Sequence, residues 1–400
     1  MSQCGLAVLL AFSAALVFTR MARRAALYLG VLDLPDHVRK FHGTAVPLLG
    51  GVAVYAAWVV GMLGTCLCRT TAVPAGGHPD LGMGFSLYLA ASVVVFMGVL
   101  DDIIGLRARW KLLGQSVAAA VLLAGGLVVK RLWFFGYTIE LGWLGPVLML
   151  VWLVGSMNAM NMLDGLDGLA ASVGLITCLS LALMSWLTQA AALTLVSVSF
   201  AGALAGFLLY NLPPARIFLG DAGSNLLGLI IGAVAIRGSF KGPATAALAV
   251  PVLVLTIPIF DGVAAVLRRR LTGVPISVPD CGHIHHQLRE RGWSDKAVLA
   301  SVAVLCAGTS SAALVSVYVQ SEPLAILATA AVVVSCVVTR IFGYYEYSLL
   351  FRGPRLLRRA LRVRLGGHNR PRLNANGAAP AQDDQRASEA RLGGKGKIAA

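Results

Sequence analysis

Charge is scarce in this chain, and acid is scarcer than base. Asp, Glu, Lys and Arg make up 13% of the 400 residues, with 18 acidic side chains against 33 basic ones. A soluble domain carries about a quarter of its residues charged, so this composition excludes one. Cysteine is thin as well: the seven cysteines fall mostly inside apolar runs, which excludes a disulfide framework. Cys66 and Cys68 read as small apolar filler near the end of one such run. The pattern G-x-x-x-x-G-K-[ST] is missing, so phosphate chemistry here would not be of the nucleotide-hydrolysing kind. No aromatic-basic recognition module accompanies the net charge of +15, and nucleic acid is not an expected partner.

What the chain has in abundance is hydrocarbon. Hydrophobic residues make up 58% of it and the mean hydropathy is +0.78, which predicts an all-α polytopic membrane protein. Eleven apolar runs of about the length that crosses a bilayer lie near 5–20, 48–68, 83–100, 113–131, 143–160, 169–187, 190–210, 224–241, 243–267, 297–319 and 322–342. The first has no basic segment before it and is followed by Arg20, Arg23 and Arg24, so it reads as a retained helix rather than a cleaved leader. Placing alternate loops and the C-terminal tail in the cytoplasm gives that side 28 of the 33 Lys and Arg residues. That bias predicts an outer N-terminus and an inner C-terminus, with the basic excess facing anionic lipid. Three regions are expected: a membrane domain over 1–343, a basic amphipathic segment over 344–365, and a disordered cytoplasmic tail over 366–400, whose plain role is that of a topological anchor.

Against this background four polar islands stand out, all on the predicted cytoplasmic side. A carboxylate at mid-span costs on the order of 2.5 to 3.5 kcal/mol, so acids in or beside the bilayer default to functional candidates. Asp101 and Asp102 end the third run; adjacent carboxylates repel, which suggests a divalent metal or a proton carrier. They equally suit a hydrated helix end neutralised by Arg107, Arg109 and Lys111. The second island places Asn158, Asn161, Asp164 and Asp167 three residues apart with Gly165 and Gly168 between. Side chains at that interval share a helix face, and the glycines let a ligand approach the backbone. Helix capping would need only one of the four. The third island, Gly220-Asp221-Ala222-Gly223-Ser224, opens the eighth run and suits either a plain N-cap or a phosphate with its cation. The fourth follows a span broken by Pro251, Pro258 and Gly262 around Asp261, and runs from Asp280 through His283, His285 and His286 to Arg289 and Arg291. These imidazoles suit zinc only if a further ligand completes the set, and the charge pattern favours a basic cradle for a diphosphate.

In that order, D-D, N-x-x-N-x-x-D-G-x-D-G-L, F-x-G-D-x-G-S and P-D-x-x-H-x-H-H-x-L resemble the polyprenyl-phosphate N-acetylhexosamine-1-phosphate transferases. Asp33-Leu-Pro35, Arg39-Lys40, His42, Pro47 and Gly50-Gly51 resemble that family's first cytoplasmic loop. The resemblance covers roughly 5–343 and departs at two places: Gly105 stands where many relatives carry a third acid, and Cys281 where they often carry a base. It implies transfer of a sugar 1-phosphate from a UDP-sugar to undecaprenyl phosphate with release of UMP, starting a lipid-linked envelope glycan in the bacterial inner membrane. The H-x-H-H form is more similar to the N-acetylglucosamine branch than to the phospho-MurNAc-pentapeptide branch. Magnesium is the implied cofactor, with manganese as a substitute, held by Asp221 and by Asp102. The implied catalytic acids are Asp101, Asp102, Asp164 and Asp167, and the implied substrate contacts are His42, Lys111, Asn158, Asn161, Asp280, His283, His285 and His286. Expected partners are the UDP-sugar, undecaprenyl phosphate and the bilayer, and a homodimer is compatible with the class.

A proton-coupled secondary transporter is the alternative from another class, favoured by the broken span at Asp261. Transporter sites lie near the bilayer midplane, however, whereas these acids cluster at span ends beside a His/Arg loop.

Overall fold

The computed structural model describes residues 3–33, 45–67, 81–134, 137–238, 249–272 and 282–339. His42, Asp280, Cys281 and the segments expected over 344–365 and 366–400 lie outside the described residues. The helices are α1 (Gln3–Leu29), α2 (Gly50–Leu67), α3 (Leu81–Ile104), α4 (Ala108–Ala124), α5 (Leu144–Leu163), α6 (Leu169–Leu187) and α7 (Ala191–Asn211). They continue with α8 (Gly220–Gly238), α9 (Ala249–Val254), α10 (Thr256–Thr272), α11 (Ile284–Glu290), α12 (Asp295–Val319) and α13 (Glu322–Val338). Among the described residues, α1, α2, α3, α5, α6, α7 and α12 are the seven helices long and apolar enough to cross a membrane. The protein is therefore a helical multi-pass membrane protein. Each remaining expected run coincides with a helix or helix pair (α4, α8, α9 with α10, and α13) that is shorter or more polar.

Two helix boundaries differ from expectation, and two short strand pairs are added. The run expected at 113–131 is α4, which starts five residues earlier and stops at Ala124, where Gly125 caps it and Gly126 turns at φ +90°. The all-α class holds, and short strands are only an addition to the helices. Among the described residues two short antiparallel strand pairs occur, β1 (Leu32–Asp33) with β2 (Val46–Pro47), and β3 (Arg131–Phe134) with β4 (Tyr137–Glu140). The second follows from the aromatic and β-branched residues of R-L-W-F and Y-T-I-E, and Arg131 Nε meets Glu140 Oε1 across it at 2.6 Å. Finally, the break expected around Asp261 lies at Leu255, between α9 and α10. Pro258 lacks an N–H, and its ring opposes the carbonyl of Val254, so the interruption falls one turn before the proline.

Helix α8 is the axis of the bundle. Every residue from Ala222 to Ile236 is buried, as a helix apolar on all sides must be when it sits inside a bundle. It packs against α2, α3, α5 and α6. Close approach requires glycine on the neighbours: a Cβ on Gly51 would lie 2.5 Å from Gly223 Cα, and one on Gly98 would fall on the backbone of Ala222. Small residues at such crossings are the usual device for helix association in lipid. The amides of Gly50 and Gly51, unpaired within α2 at its start, donate to the carbonyls of Phe218 (3.0 Å) and Leu219 (2.8 Å). The start of α2 is thereby tied to the approach to α8.

Candidate active site

The ends of α3, α5, α8 and α11 and the first turn of α4 surround a cavity of about 950 Å³. Asp101 and Asp102 come from the last turn of α3, Lys111 from the first turn of α4, and Asn161 from the end of α5. Asp164 and Asp167 sit on the connection to α6, Asp221 in the first turn of α8, and His286 and Arg289 on α11. Three of the four islands thus converge with part of the fourth.

The acids differ in what already holds them. Lys111 reaches between two of them: its ammonium contacts Asp101 Oδ2 and lies 2.7 Å from Asp221 Oδ2. Asp101 also accepts the amide of Leu106 at 2.7 Å. Asp102 works across helices, because its two oxygens accept the amides of Asp221 at 2.9 Å and Ala222 at 3.4 Å. These are among the donors that α8 cannot satisfy within itself, so an acid of α3 caps α8. Asp167 Oδ2 accepts the amide of Ala215 at 2.8 Å and holds the 212–217 connection against the site. Asp164 is pushed up to about 8, first by burial and then by the nearby charges of Asp221, Asp102 and Asp167.

The histidines divide sharply. Asp261, 1% exposed, takes His283 Nδ1 at 2.8 Å on one oxygen and the amide of Ile284 at 2.9 Å on the other. His283 is therefore a buried brace at the start of α11. His285 is buried with no hydrogen-bond partner at either ring nitrogen, under Gly165, where a Cβ would lie 2.7 Å from its Cε1. Burial, helped by the neighbouring His286, His283 and Arg289 charges, holds His285 well below the ordinary histidine range. Of the three, His286 alone lines the cavity, its ring centroid 4.2 Å from that of His285. Asn158 likewise stands behind the cavity, donating to Gln115 Oε1 at 2.7 Å.

Gln115, Asp295 and Lys296 escaped the motif reading, whereas Ser224 closes the third island, Asn225 directly follows it, and Asp33 belongs to the first-loop segment. Gln115 and Asn225, both buried, form a hydrogen bond of 2.8 Å behind the site, and Ser224 donates to Asn161 Oδ1 at 3.1 Å. Asp33, Asp295 and Lys296 also line the cavity, with Asp295 paired to Arg289 at 2.8 Å. An isolated amide in the apolar run Leu112 to Ala120 was the available signal for Gln115.

The lining holds seven aspartates against Lys111, Arg289 and Lys296. An anionic ligand entering so acidic a cavity needs added cation, and the donors present are hard oxygens. No group of three His, Cys, Asp or Glu side chains among the described residues forms a ready metal cage. That suits magnesium, which takes one or two carboxylates and fills its shell with water and phosphate oxygens.

Residues 84–239 match the glycosyl transferase family 4. The chain is 32% identical over 283 residues to a probable undecaprenyl-phosphate N-acetylglucosaminyl 1-phosphate transferase of Bacillus subtilis, covering 70% of this chain and 76% of that one. It is 32% identical over 353 residues to the decaprenyl-phosphate N-acetylglucosaminephosphotransferase of Mycobacterium tuberculosis, covering 81% and 85%. Against the undecaprenyl-phosphate alpha-N-acetylglucosaminyl 1-phosphate transferase of Escherichia coli K12 the identity is 26% over 307 residues, covering 72% and 80%. The chain belongs to glycosyl transferase family 4.

Proposed function

We propose that the protein transfers N-acetylglucosamine 1-phosphate from UDP-N-acetylglucosamine to a polyprenyl phosphate, undecaprenyl phosphate in this reading, and releases UMP. The observation that carries the proposal is the acid-rich cavity at the helix ends, in a chain whose relatives bear such names. One substrate is water-soluble and the other is anchored in lipid, so their phosphates can meet only at the membrane surface. We place that surface on the cytoplasmic side of the bacterial inner membrane, with eleven spans and the N-terminus outside, on the strength of the basic-residue bias.

The reaction exchanges one phosphoanhydride for another and needs no nucleotide hydrolysis. Positioning and neutralisation of phosphate charge then supply the catalysis. Asp221, with Asp102 beside it, would hold magnesium, which when bound neutralises diphosphate charge. Lys111 supplies a fixed positive charge between Asp101 and Asp221 and holds both carboxylates in place. With Asp102 beside the metal, Asp101 keeps the acceptor phosphate ionised. Arg289 and His286, on α11, receive the diphosphate, the guanidinium by charge-assisted bonds. Asn161, Asp164 and Asp167 orient the nucleotide-sugar, and Asp167 also fixes the 212–217 connection over it. His283, His285 and Asn158 act from behind the wall. The test is UMP release by purified protein with undecaprenyl phosphate, magnesium and a donor panel of UDP-GlcNAc, UDP-GalNAc and UDP-MurNAc-pentapeptide. Turnover with UDP-GlcNAc alone is expected; turnover with none overturns the proposal.

A further inference from the structure

Three amides, one from each of three helices, form a single directed chain behind the cavity, with Gln115 and Asn225 buried and Asn158 partly so. Asn158 of α5 donates through Nδ2 to Gln115 Oε1 of α4 at 2.7 Å. Gln115 donates through Nε2 to Asn225 Oδ1 of α8 at 2.8 Å. Asn225 donates through Nδ2 to the backbone carbonyl of Asp221 at 2.7 Å. Gln115 and Asn225 are 6% and 7% exposed, so both amides have surrendered water and depend on one another.

The spacing of this chain repeats the spacing of the site. Lys111 and Gln115 are four residues apart on α4, and Asp221 and Asn225 are four apart on α8. Asn161 and Asn158 are three apart on α5. Each pair occupies one helix face, one turn apart. Under the site group Lys111, Asp221 and Asn161 thus lies a second layer, Gln115, Asn225 and Asn158, in which the same three helices are hydrogen-bonded together. A small cavity of about 20 Å³, bordered by Asp101, Lys111, Gln115 and Asn225, joins the two layers.

A helix held only by apolar packing in lipid can rotate or slide by small amounts at little cost, because neighbouring side chains offer no direction. Directed amide bonds supply that direction. We propose that Gln115 is a positioning residue: through Asn225 and Asn158 it sets the rotation of α4, α8 and α5 that brings Lys111, Asp221 and Asn161 to one point. The proposal rests on the transferase reading, in which those three side chains serve phosphate transfer. Gln115 touches neither substrate, so its loss lowers kcat and leaves KM for the UDP-sugar nearly unchanged.

The experiment compares wild type, Gln115→Met and the double variant Gln115→Met/Asn225→Leu in detergent or nanodiscs, by UMP release and by thermal unfolding. Gln115→Met strands the Asn225 amide and is expected to lower kcat at least tenfold, with KM within twofold and some loss of melting temperature. The double variant removes both partners of the central bond while Asn158 keeps its bond to the Val154 carbonyl at 2.8 Å. Its melting temperature is therefore expected to recover while kcat stays low. Recovery of kcat along with stability in the double variant would show that the amides only hold the bundle together, and the proposal would fall. It would fall equally if Gln115→Met kept kcat within twofold of wild type, or if KM rose while kcat held. Should Gln115→Met not fold, the double variant alone decides by the same criterion. An inactive wild type would instead strike the transferase reading itself, so the two failures are distinguishable.

Discussion

Replacing Gly98 by alanine isolates the position of a single turn from everything else in the site. Gly98 lies on α3, facing the first turn of α8, and its side-chain position is already taken. A Cβ there would fall on the N and Cα of Ala222 and lie 2.9 Å from the carbonyl carbon of Asp221, closer than the 3.0 Å limit that real Cβ atoms respect. The obstructing atoms are backbone, so no rotamer change relieves them. The start of α8 must retreat by roughly 1 Å, and a misplacement of that size at a reacting centre costs about 100-fold in rate. Overpacking adds a stability loss of about 1 to 3 kcal/mol. Gly84 on the same helix provides the control: nothing lies within 4 Å of its Cβ position, and alanine there gains about 0.5 to 1 kcal/mol of helix propensity. UMP release and thermal unfolding of Gly98→Ala and Gly84→Ala are to be measured side by side. Gly98→Ala is expected to lose about two orders of magnitude in kcat, and Gly84→Ala none. A Gly98→Ala enzyme within threefold of wild type would refute the claim that this contact places Asp221.

Asp221→Asn keeps the shape of the side chain but removes the charge facing Lys111 and the proposed metal donor. Its turnover should fall by at least about 100-fold, with excess magnesium restoring only part in a titration of UMP release; wild-type turnover would remove Asp221 from the metal site. His285 makes stability sensitive to acid. Its folded pKa is held below the unfolded value of about 6.5, chiefly by burial, so below that pH the unfolded chain binds more protons. Stability is then complete above about pH 7 and falls as pH drops, by at most about 1.4 kcal/mol per pH unit from this group. Melting curves from pH 7.5 to 5 should show the loss, and His285→Leu should flatten it; identical slopes in the two proteins would refute the assignment.

The islands were legible because acids are conspicuous in an apolar chain. Asp101, Asp102, Asp164, Asp167 and Asp221 all reach one cavity, although up to 120 residues separate them in sequence. What the sequence concealed was the work each side chain does. His283, His285 and His286 are equivalent in a motif, yet the partner that distinguishes them, Asp261, lies 22 residues upstream of His283. The β3–β4 hairpin was hidden because its apolar start continues the run that forms α4, and periodicity alone does not mark where α4 stops. Gln115 was hidden for a different reason: a lone amide in an apolar run carries no pattern, and its meaning comes only from Asn225, which meets it from another helix at the end of the third island.

The bond between Asp102 and the amide of Asp221 spans 119 residues, and that separation imposes an order on biosynthesis. The ribosome delivers the acidic end of α3 before α8 exists, so Asp102 waits through 119 further residues for the amide it accepts. Only when α8 threads into the centre of the bundle does its first turn bring amides to Asp102 and a carboxylate to Lys111. The cavity is thus completed late, and a chain interrupted before Gly220 carries the acids without the site.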